Sequence, residues 1–585
     1  MHCLIVIETN SAVSNTRDNI LYSDLKPIGS PIKTVGAYCW DKLSKLPEDL
    51  VCLIDASTDE KLTIGELKYR ANSIGVALVN RGVTKQDTVA FSGQNSIQHT
   101  IMRFAVKLLG ITFMPLSPTF ERYEVEQEII ASRTNIIMTA GQDYHKFEHL
   151  LLDSNANVIK QCIVFDVKQQ QQLLQHRERH VTYGQLLADG SGQQLPQIPY
   201  FNVNPETDVL FLVHTSGSTG RPKCAMIGHR TFINASQYSK IYLNYEDNPK
   251  HDITTDNSTI AKPTTTTTVC AIPYPCGHVS GTCMIPLQII AGVQCVIMGQ
   301  FDEELLFRSI EKYGIHILPA FPSFGRRLIE GDLADRYDLS SLIGMSTGGA
   351  PFPGHIARQI IEKYNLVFRE TYGMTEYIWF TTGEDVMDGN QLIPGNVGRV
   401  SPGGELKIID LNTGASLGAN SDGEICIRGV RLFMGYLDND TANRVAIDAD
   451  GWYRTGDIGY YDNRERLFIT GRVKEVIRVG VDNHYVNINP SEIEMFVLTH
   501  PSIAEVAVVG VNNIAGTHWP RAYVVLKQGH SVIGGDDIKK YVSETMAYTK
   551  QLKGGVVFVH QIHRTSIGKV DRKYYRNLVE NELLD

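Results

Sequence analysis

The chain reads as an α/β protein, with a mostly parallel sheet in its larger part and a small α/β domain at its end. Three observations predict this. From "LTIGELKYRANSIGVALVNRGV" (Leu62 to Val83) onward, apolar residues at helical spacing alternate with short β-rich runs such as "DTVAFSG" and "NIIMTA", which close on Gly, Ser or Thr. From about Leu406 the texture changes to short strands and turns: "ELKIID", "GEICIRG", "GYYDNRERLFITGR". After Gly471 a separate αβ pattern follows, in "EIEMFVLTH", "AEVAVVGV", "AYVVLK" and "IKKYVSETM".

The 585 residues are too many for one ordinary core, so more than one domain is expected. Residues 1–30 are polar and weakly patterned and read as a loosely ordered leader. Residues 31–471 form the main domain and 472–585 the small C-terminal one. Two polar, low-complexity runs, "KQQQQLLQ" from Lys168 and "TTDNSTIAKPTTTTT" from Thr254, read as surface insertions. A net charge of −9 provides no basic surface for nucleic acid or an anionic membrane, so any anionic ligand must be held by a local arrangement of donors.

The ten cysteines show neither a CxxC pair nor a zinc-like spacing and read as buried apolar thiols in a reducing compartment. The start, "MHCLIVIETN", is too short in its apolar run for a signal peptide core and lacks a basic lead-in. No apolar stretch is long enough to span a membrane, and the end, "NELLD", is not a Ser-Lys-Leu address. A cytoplasmic protein is therefore expected. The sequons at Asn234 and Asn257 carry little weight without a secretory signal.

The stretch "VHTSGSTGRPKCAM" (Val213 to Met226) points to chemistry. An apolar β run, "TDVLFLVHT", feeds directly into Thr215, Ser216, Gly217, Ser218, Thr219 and Gly220, with Lys223 close behind. Glycines let backbone approach a phosphate, hydroxyls and amides donate to its oxygens, and a lysine adds charge. A Walker loop would need Gly-Lys-Ser/Thr, whereas Pro222 precedes this lysine and Cys224 follows it. A plain flexible turn is the other reading of such a loop.

Five further motifs follow in order: "STGGAPFP" from Ser346, "RETYGMTE" from Arg369, "GWYRTGDIGYYD" from Gly451, "FITGRVKEVI" from Phe468 and "RTSIGKVDRK" from Arg564. Together with the loop they resemble the acyl-adenylate-forming superfamily, which includes acyl-CoA synthetases, coumarate–CoA ligases, beetle luciferases and nonribosomal adenylation domains. The likeness runs from about Leu62 to Tyr575, and "GELKIIDLNTG" and "LKGGVVFV" lean toward the luciferase and coumarate-ligase branch. The fold implied is a large N-terminal domain of βαβ subdomains plus a distorted β-barrel, with a small mobile C-terminal α/β domain hinged near Lys474.

The resemblance implies a two-step reaction. A carboxylate attacks the α-phosphate of Mg-ATP, releasing pyrophosphate, and a thiol, usually that of coenzyme A, then displaces AMP. The loop would grip the β- and γ-phosphates. Lys569 would bridge carboxylate and α-phosphate, Thr375 would touch the α-phosphate, and Glu376 would hold Mg²⁺. Gly348, Gly349 and Ala350 would line adenine, with Tyr372 stacked on its face and Gly373 beside it. Asp457 would accept the ribose hydroxyls and Arg472 would donate to the ribose. His278 would wall the acyl pocket, with Phe321 and Trp379 as further wall candidates. Each residue also has an ordinary reading: Lys569 and Lys474 as surface lysines, Glu376 as a helix-start acid, the glycines as a strand-end turn, Asp457 and Arg472 as a surface ion pair, and His278, Phe321 and Trp379 as packing residues.

Two departures from the pattern matter. The family's Lys-Tyr-Lys-Gly run after "GRVKEVI" is absent, and "RVGVDNHYVNINPSEIE" carries about four extra residues, with Val479-Gly480 in place of Lys-Gly. Cys224 replaces the glycine after the loop lysine. The expected activity is that of an AMP-forming acid–thiol ligase acting on a small-molecule carboxylic acid with ATP, Mg²⁺ and coenzyme A. The alternatives are an adenylating enzyme with another acceptor (a carrier protein, or oxygen as in luciferases) and a catalytically weak AMP or acyl-adenylate binder.

Overall fold

In the computed structural model the described residues are 16–17, 19–23, 33–152, 159–166, 180–215, 223–243, 267–329, 332–481, 484–512, 518–527, 533–564 and 569–582. They fall into two units by packing. The larger comprises Pro27–Pro394 and Gly429–Val445; the smaller comprises Met1–Lys26, Gly395–Arg428 and Ala446–Asp585. Both low-complexity runs lie largely outside the described residues.

Two seven-stranded sheets organise the larger unit. In the first, Lys223–Gly228 pairs antiparallel with Val209–Thr215, and Thr112–Pro115, Thr88–Ser92, Ile136–Ala140, Gln161–Phe165 and His180–Thr182 follow in parallel. In the second the order is Val367–Thr371, Gly344–Gly348, Ile317–Ala320, Val269–Ile272, Gln294–Ile297, Val51–Asp55 and Lys61–Thr63, all parallel but for the last pair. The alternating helical and β-rich runs are thus crossover connections and parallel strands, as the sequence predicts. Such strands are covered on both faces and read as continuous apolar runs, and all five residues of "IIMTA" in Ile136–Ala140 are buried.

The connecting helices follow from local signals. Ile64–Asn80 starts at Thr63, whose hydroxyl accepts the Glu66 N–H while the Glu66 carboxylate accepts the Thr63 N–H, and it buries Ile64, Leu67, Ala71, Ile74 and Leu78. Ile97–Leu109 begins at Ser96 and ends on Gly110 in the left-handed region at φ +79.

In the smaller unit, Thr16–Arg17, Ile20–Tyr22, Gly404–Ile409, Gly423–Gly429, Tyr453–Tyr461 and Leu467–Arg472 form one sheet path, with Ser416–Leu417 paired to Gly404–Ile409. This is the strand-and-turn texture from Leu406 onward. No ladder joins its two ends into a closed barrel among the described residues. Part of the stretch expected as a leader belongs here: Ile20–Tyr22 pairs antiparallel with Gly404–Ile409, because Leu21 buries its side chain opposite Leu406.

The C-terminal part carries a three-stranded sheet of Ile503–Asn512, His518–Leu526 and Gly555–Phe558, with helices Pro490–Val497, Gly535–Ser543 and Arg572–Glu582. Ile493, Val497, Val506, Val508, Val524, Ile538 and Val542 form one core, and Val509, Tyr523, Tyr575 and Val579 another. The divergent segment after Ile477 is a β-hairpin, Ile477–Val481 against His484–Ile488.

The nine described cysteines are free and buried, matching the reading of apolar thiols. Asn234 is buried, its amide donating to the Arg230 carbonyl at 2.9 Å, so this sequon is closed to a glycan. No helix among the described residues is long and apolar enough to cross a membrane.

One carboxyl braces the end of the second sheet. Glu370, in Val367–Thr371, accepts the Phe352 N–H at 3.0 Å and so ties that strand to the loop after Gly344–Gly348. Burial pushes its carboxyl up to about 8. The folded protein therefore holds this proton more tightly than the unfolded chain, and the stabilisation present below about 4.5 is lost as pH rises through about 8. Glu370→Gln keeps the acceptor and removes the titration. Its melting temperature relative to wild type should climb steadily between those pH values, read by thermal unfolding at a series of pH.

Candidate active site

The phosphate-loop candidates Ser216, Gly217, Ser218, Thr219 and Gly220 lie outside the described residues. Their two flanks are described. Thr215 ends the strand Val209–Thr215 and pairs with Lys223, the first residue of Lys223–Gly228, with the Thr215 hydroxyl donating to the Lys223 carbonyl at 3.4 Å. The second strand of this pair thus begins at the expected lysine.

Lys223 and Glu376 meet around a residue the motifs do not contain. The Lys223 ammonium lies 4.8 Å from the centre of the Tyr436 ring, and the Tyr436 hydroxyl donates to Glu376 Oε1 at 2.8 Å. Tyr436 is held because Ala225 forms a β-bridge with it, the Asn443 carboxamide accepts its N–H at 2.7 Å, and its ring packs edge-on to Phe433. Sequence separation hid this contact, since 60 residues divide Glu376 from Tyr436. The only cue was an aromatic in "FMGYLD".

Glu376 is 8% exposed and sits with Thr375 at the tip of a tight turn, where Met374 and Tyr377 exchange backbone hydrogen bonds at 3.1 and 3.2 Å. The Phe433 N–H donates to the Glu376 carbonyl at 2.8 Å and fixes the turn. Among the described residues no Lys, Arg or His forms an ion pair with Glu376. Nor does any group of three potential metal-binding side chains occur there. A buried carboxylate without a cationic partner fits a hard cation that takes most of its ligands from phosphates and water.

Gly348 closes the strand Gly344–Gly348, where a Cβ would come within 2.8 Å of the Thr371 carbonyl oxygen. Gly349 adopts φ +82, a conformation side chains rarely take, and it is exposed, with Ala350 half-buried beside it. Bare backbone is thus presented at the carboxyl end of a parallel strand, where ligands of open α/β sheets bind. Tyr372 is buried, its N–H bonded to the Thr381 hydroxyl at 2.8 Å, and its ring lies edge-on to Phe380. Gly373 lies so close to the Trp379 backbone that a Cβ would meet its nitrogen at 2.9 Å.

His278 caps the helix Val279–Ile290, its Nδ1 accepting the Ser280 N–H at 3.2 Å. Its ring is edge-on to Phe321 at 6.1 Å, and Phe321 lies 4.6 Å from Tyr274. His278 thus has a structural role as the helix cap. Phe321 also stands 4.0 Å from where a Cβ on Gly349 would be, so this aromatic group borders the glycine backbone. Trp379 has φ +50.

In the smaller unit two expected residues pair, and a third lies in their electrostatic field. Asp457 and Arg472 are register partners on neighbouring strands, and Arg472 Nε donates to Asp457 Oδ1 at 2.5 Å. Asp457 is 6% exposed, while the Arg472 side chain is half exposed. Lys569 is half-buried in their field: burial pulls its pKa below the ordinary lysine value, Arg472 pulls the same way, and Asp457 and Glu475 oppose. Lys474 is exposed, its carbonyl accepting a hydrogen bond from Arg576 Nη1 at 3.0 Å.

Comparison with known proteins identifies the family. The AMP-binding enzyme family matches residues 40–437, and the AMP-binding enzyme C-terminal domain matches 492–569. The 4-coumarate-CoA ligase 1 of Narcissus pseudonarcissus is 29% identical over 572 residues, covering 97% of each chain. Luciferin 4-monooxygenase of Photinus pyralis is 27% identical, over 90% of this chain and 91% of its own. Among solved structures, ATP-bound MatB from Rhodopseudomonas palustris superposes with TM-score 0.76 at 22% identity, covering 93% of this chain and 98% of its own. The amide bond synthetase McbA from Marinactinospora thermotolerans superposes with TM-score 0.75 at 21% identity, covering 93% and 99%. With an AMP-binding match across most of its length, this chain belongs to the AMP-binding enzyme family, within the acyl-adenylate-forming superfamily.

Proposed function

We propose that the protein activates a carboxylic acid with ATP and transfers the acyl group to coenzyme A. The observation that supports this most is the buried Asp457 paired with Arg472, suited to ribose hydroxyls, with the charges of both acting on the partly desolvated Lys569. The coumarate-ligase relatives, matched over nearly the whole chain, support coenzyme A as acceptor.

In the first step a carboxylate oxygen attacks the α-phosphorus, and the bond to the β-phosphate oxygen breaks to release pyrophosphate. Two anions must meet, and the proton inventory does not change, so the barrier is chiefly electrostatic. Unit charges about 4 Å apart repel by about 4 kcal/mol at an effective dielectric of 20, worth about a thousand-fold in rate. One ammonium in contact with both offsets a cost of that size, which is the role of Lys569. Asp457 accepts the ribose hydroxyls, Arg472 donates to the ribose, and Gly348, Gly349 and Ala350 offer backbone to the adenine beside Tyr372. Thr215, Lys223 and the loop between them hold the departing phosphates. Glu376 would hold Mg²⁺, which supplies charge neutralisation on the phosphates when bound, and Tyr436 orients that carboxylate. In the second step a thiol sulfur attacks the acyl carbonyl carbon and AMP leaves, after backbone rotation at Lys474 has withdrawn the lysine.

A second reading keeps the adenylation and changes the acceptor. It is favoured by the luciferin 4-monooxygenase relative and by the hairpin Ile477–Val481/His484–Ile488, which departs from the coumarate-ligase pattern. AMP release from ATP in the presence of 4-coumarate, acetate, octanoate or palmitate, each with and without coenzyme A, separates the two. Coenzyme A-dependent AMP release supports the first reading, and acid-dependent pyrophosphate exchange with no AMP release on adding coenzyme A supports the second.

Lys569→Ala should lower acid-dependent ATP–pyrophosphate exchange about a thousand-fold while leaving ATP binding, measured by equilibrium titration, nearly intact. Full exchange in this variant would remove the mechanism. Tyr436→Phe deletes one hydroxyl from Glu376 and should raise the Mg²⁺ concentration giving half-maximal exchange several-fold. An unchanged Mg²⁺ dependence would remove the orienting role of Tyr436.

A further inference from the structure

Lys569 belongs to a short hairpin with a firm base. Arg564 and Val570 form a β-bridge, the Asp571 N–H donates to the His563 carbonyl at 3.0 Å, and the His563 N–H donates to the Tyr575 hydroxyl oxygen at 2.7 Å. Three residues after the lysine, Arg572 enters an ion cluster. Its Nη1 donates to Glu475 at 2.9 Å and its Nη2 to Glu494 at 2.5 Å, with all three side chains at least four-fifths buried. Glu494 also accepts the Val508 N–H at 2.7 Å, so it is anchored to the strand Ile503–Asn512. One turn on in the same helix, Arg576 holds the Lys474 carbonyl.

Arg572 therefore has two carboxylates, and one of them suffices to anchor it. Glu494 does so, bound to the core. Glu475 is the surplus partner; it adjoins the hinge candidate Lys474, its N–H donates to the Arg472 carbonyl at 3.0 Å, and its charge acts on Lys569 as well as on Arg572. The charges facing one another here are Lys569, Arg572 and Arg472 against Asp457, Glu475 and Glu494. Removing Glu475 alone leaves three cations facing two anions.

We propose that Glu475 is a positioning residue for Lys569: through Arg572 it ties the lysine hairpin to the hinge, so that the two move as one body. This inference rests on the reading of Lys569 as the adenylating ammonium. A backbone rotation at Lys474 would be useless if the lysine could lag behind it, and the Glu475–Arg572–Glu494 chain is the rigid link from hinge to hairpin. The same carboxylate favours the charged form of Lys569, against the burial and the Arg472 charge that disfavour it.

The test is Glu475→Gln, with Arg572→Lys as a second variant that retains a cation but loses the two-pronged grip. Both are assayed in the full-length protein by ATP–pyrophosphate exchange, using whichever of 4-coumarate, acetate, octanoate or palmitate the wild type accepts. Both should lose at least ten-fold in kcat, with KM for ATP changed less than three-fold and the melting temperature within a few degrees of wild type. Exchange needs the ammonium, so it declines as pH rises past the lysine pKa. In Glu475→Gln that decline should move about one pH unit towards acid. Unchanged kcat in Glu475→Gln, or an alkaline limb that stays in place, would overturn the inference and leave the adenylation reading standing. A kcat loss that only parallels a collapse in melting temperature would likewise overturn it, as a merely structural role. A wild type that exchanges with none of the four acids would remove the adenylation reading itself, and this inference with it.

Discussion

In the proposed reaction, an ammonium that must stay charged while leaving water is the constraint on which the smaller unit turns. Burial and the Arg472 guanidinium both disfavour the charged form of Lys569, and Asp457 and Glu475 offset part of that. A fully solvated lysine would neutralise an incoming anion poorly, because water screens it, and a fully buried one would lose its proton. The half-buried position between opposing charges lies between those failures. Asp457, set beside Arg472 by the antiparallel register, supplies one of the opposing charges, and Glu475, held by Arg572, supplies the other.

The larger unit solves a different problem, the presentation of backbone and fixed charge at the carboxyl ends of parallel strands. Gly344–Gly348, Val367–Thr371 and Val209–Thr215 all end where expected ligand-binding residues begin. What gives this arrangement precision is side-chain bracing from elsewhere. Tyr436 stands between Lys223 and Glu376, and Glu370 holds the loop that follows Gly349. Both use one polar group to link elements distant in sequence, and both are enclosed enough for that link to be specific.

How much of this was readable beforehand depended on how local the cause was. The α/β class followed from the switch between helical and β-rich spacing, which is a property of neighbouring residues. So did the helix starts at Thr63 and Ser96. The motif glycines were readable too, since Gly349 at φ +82 occupies a conformation that only the motif context hinted at. By contrast, Ile20–Tyr22 gave no strand signal, because three residues beside an otherwise polar stretch carry no period. Only the partner strand Gly404–Ile409 makes a place for Leu21.

Sequence by itself thus determined the architecture, the family and the list of chemically able residues, because periodicity, turn chemistry and motif order are written within short windows. Tertiary structure alone decided which of those residues share a neighbourhood, and with what protonation. The pairing of Tyr436 with Glu376, the hold of Glu370 on the Phe352 backbone and the clamp of Arg572 on Glu475 arise from contacts across 60, 18 and 97 residues. Burial and charge at such sites are set by what folds against them, and no local window contains that information.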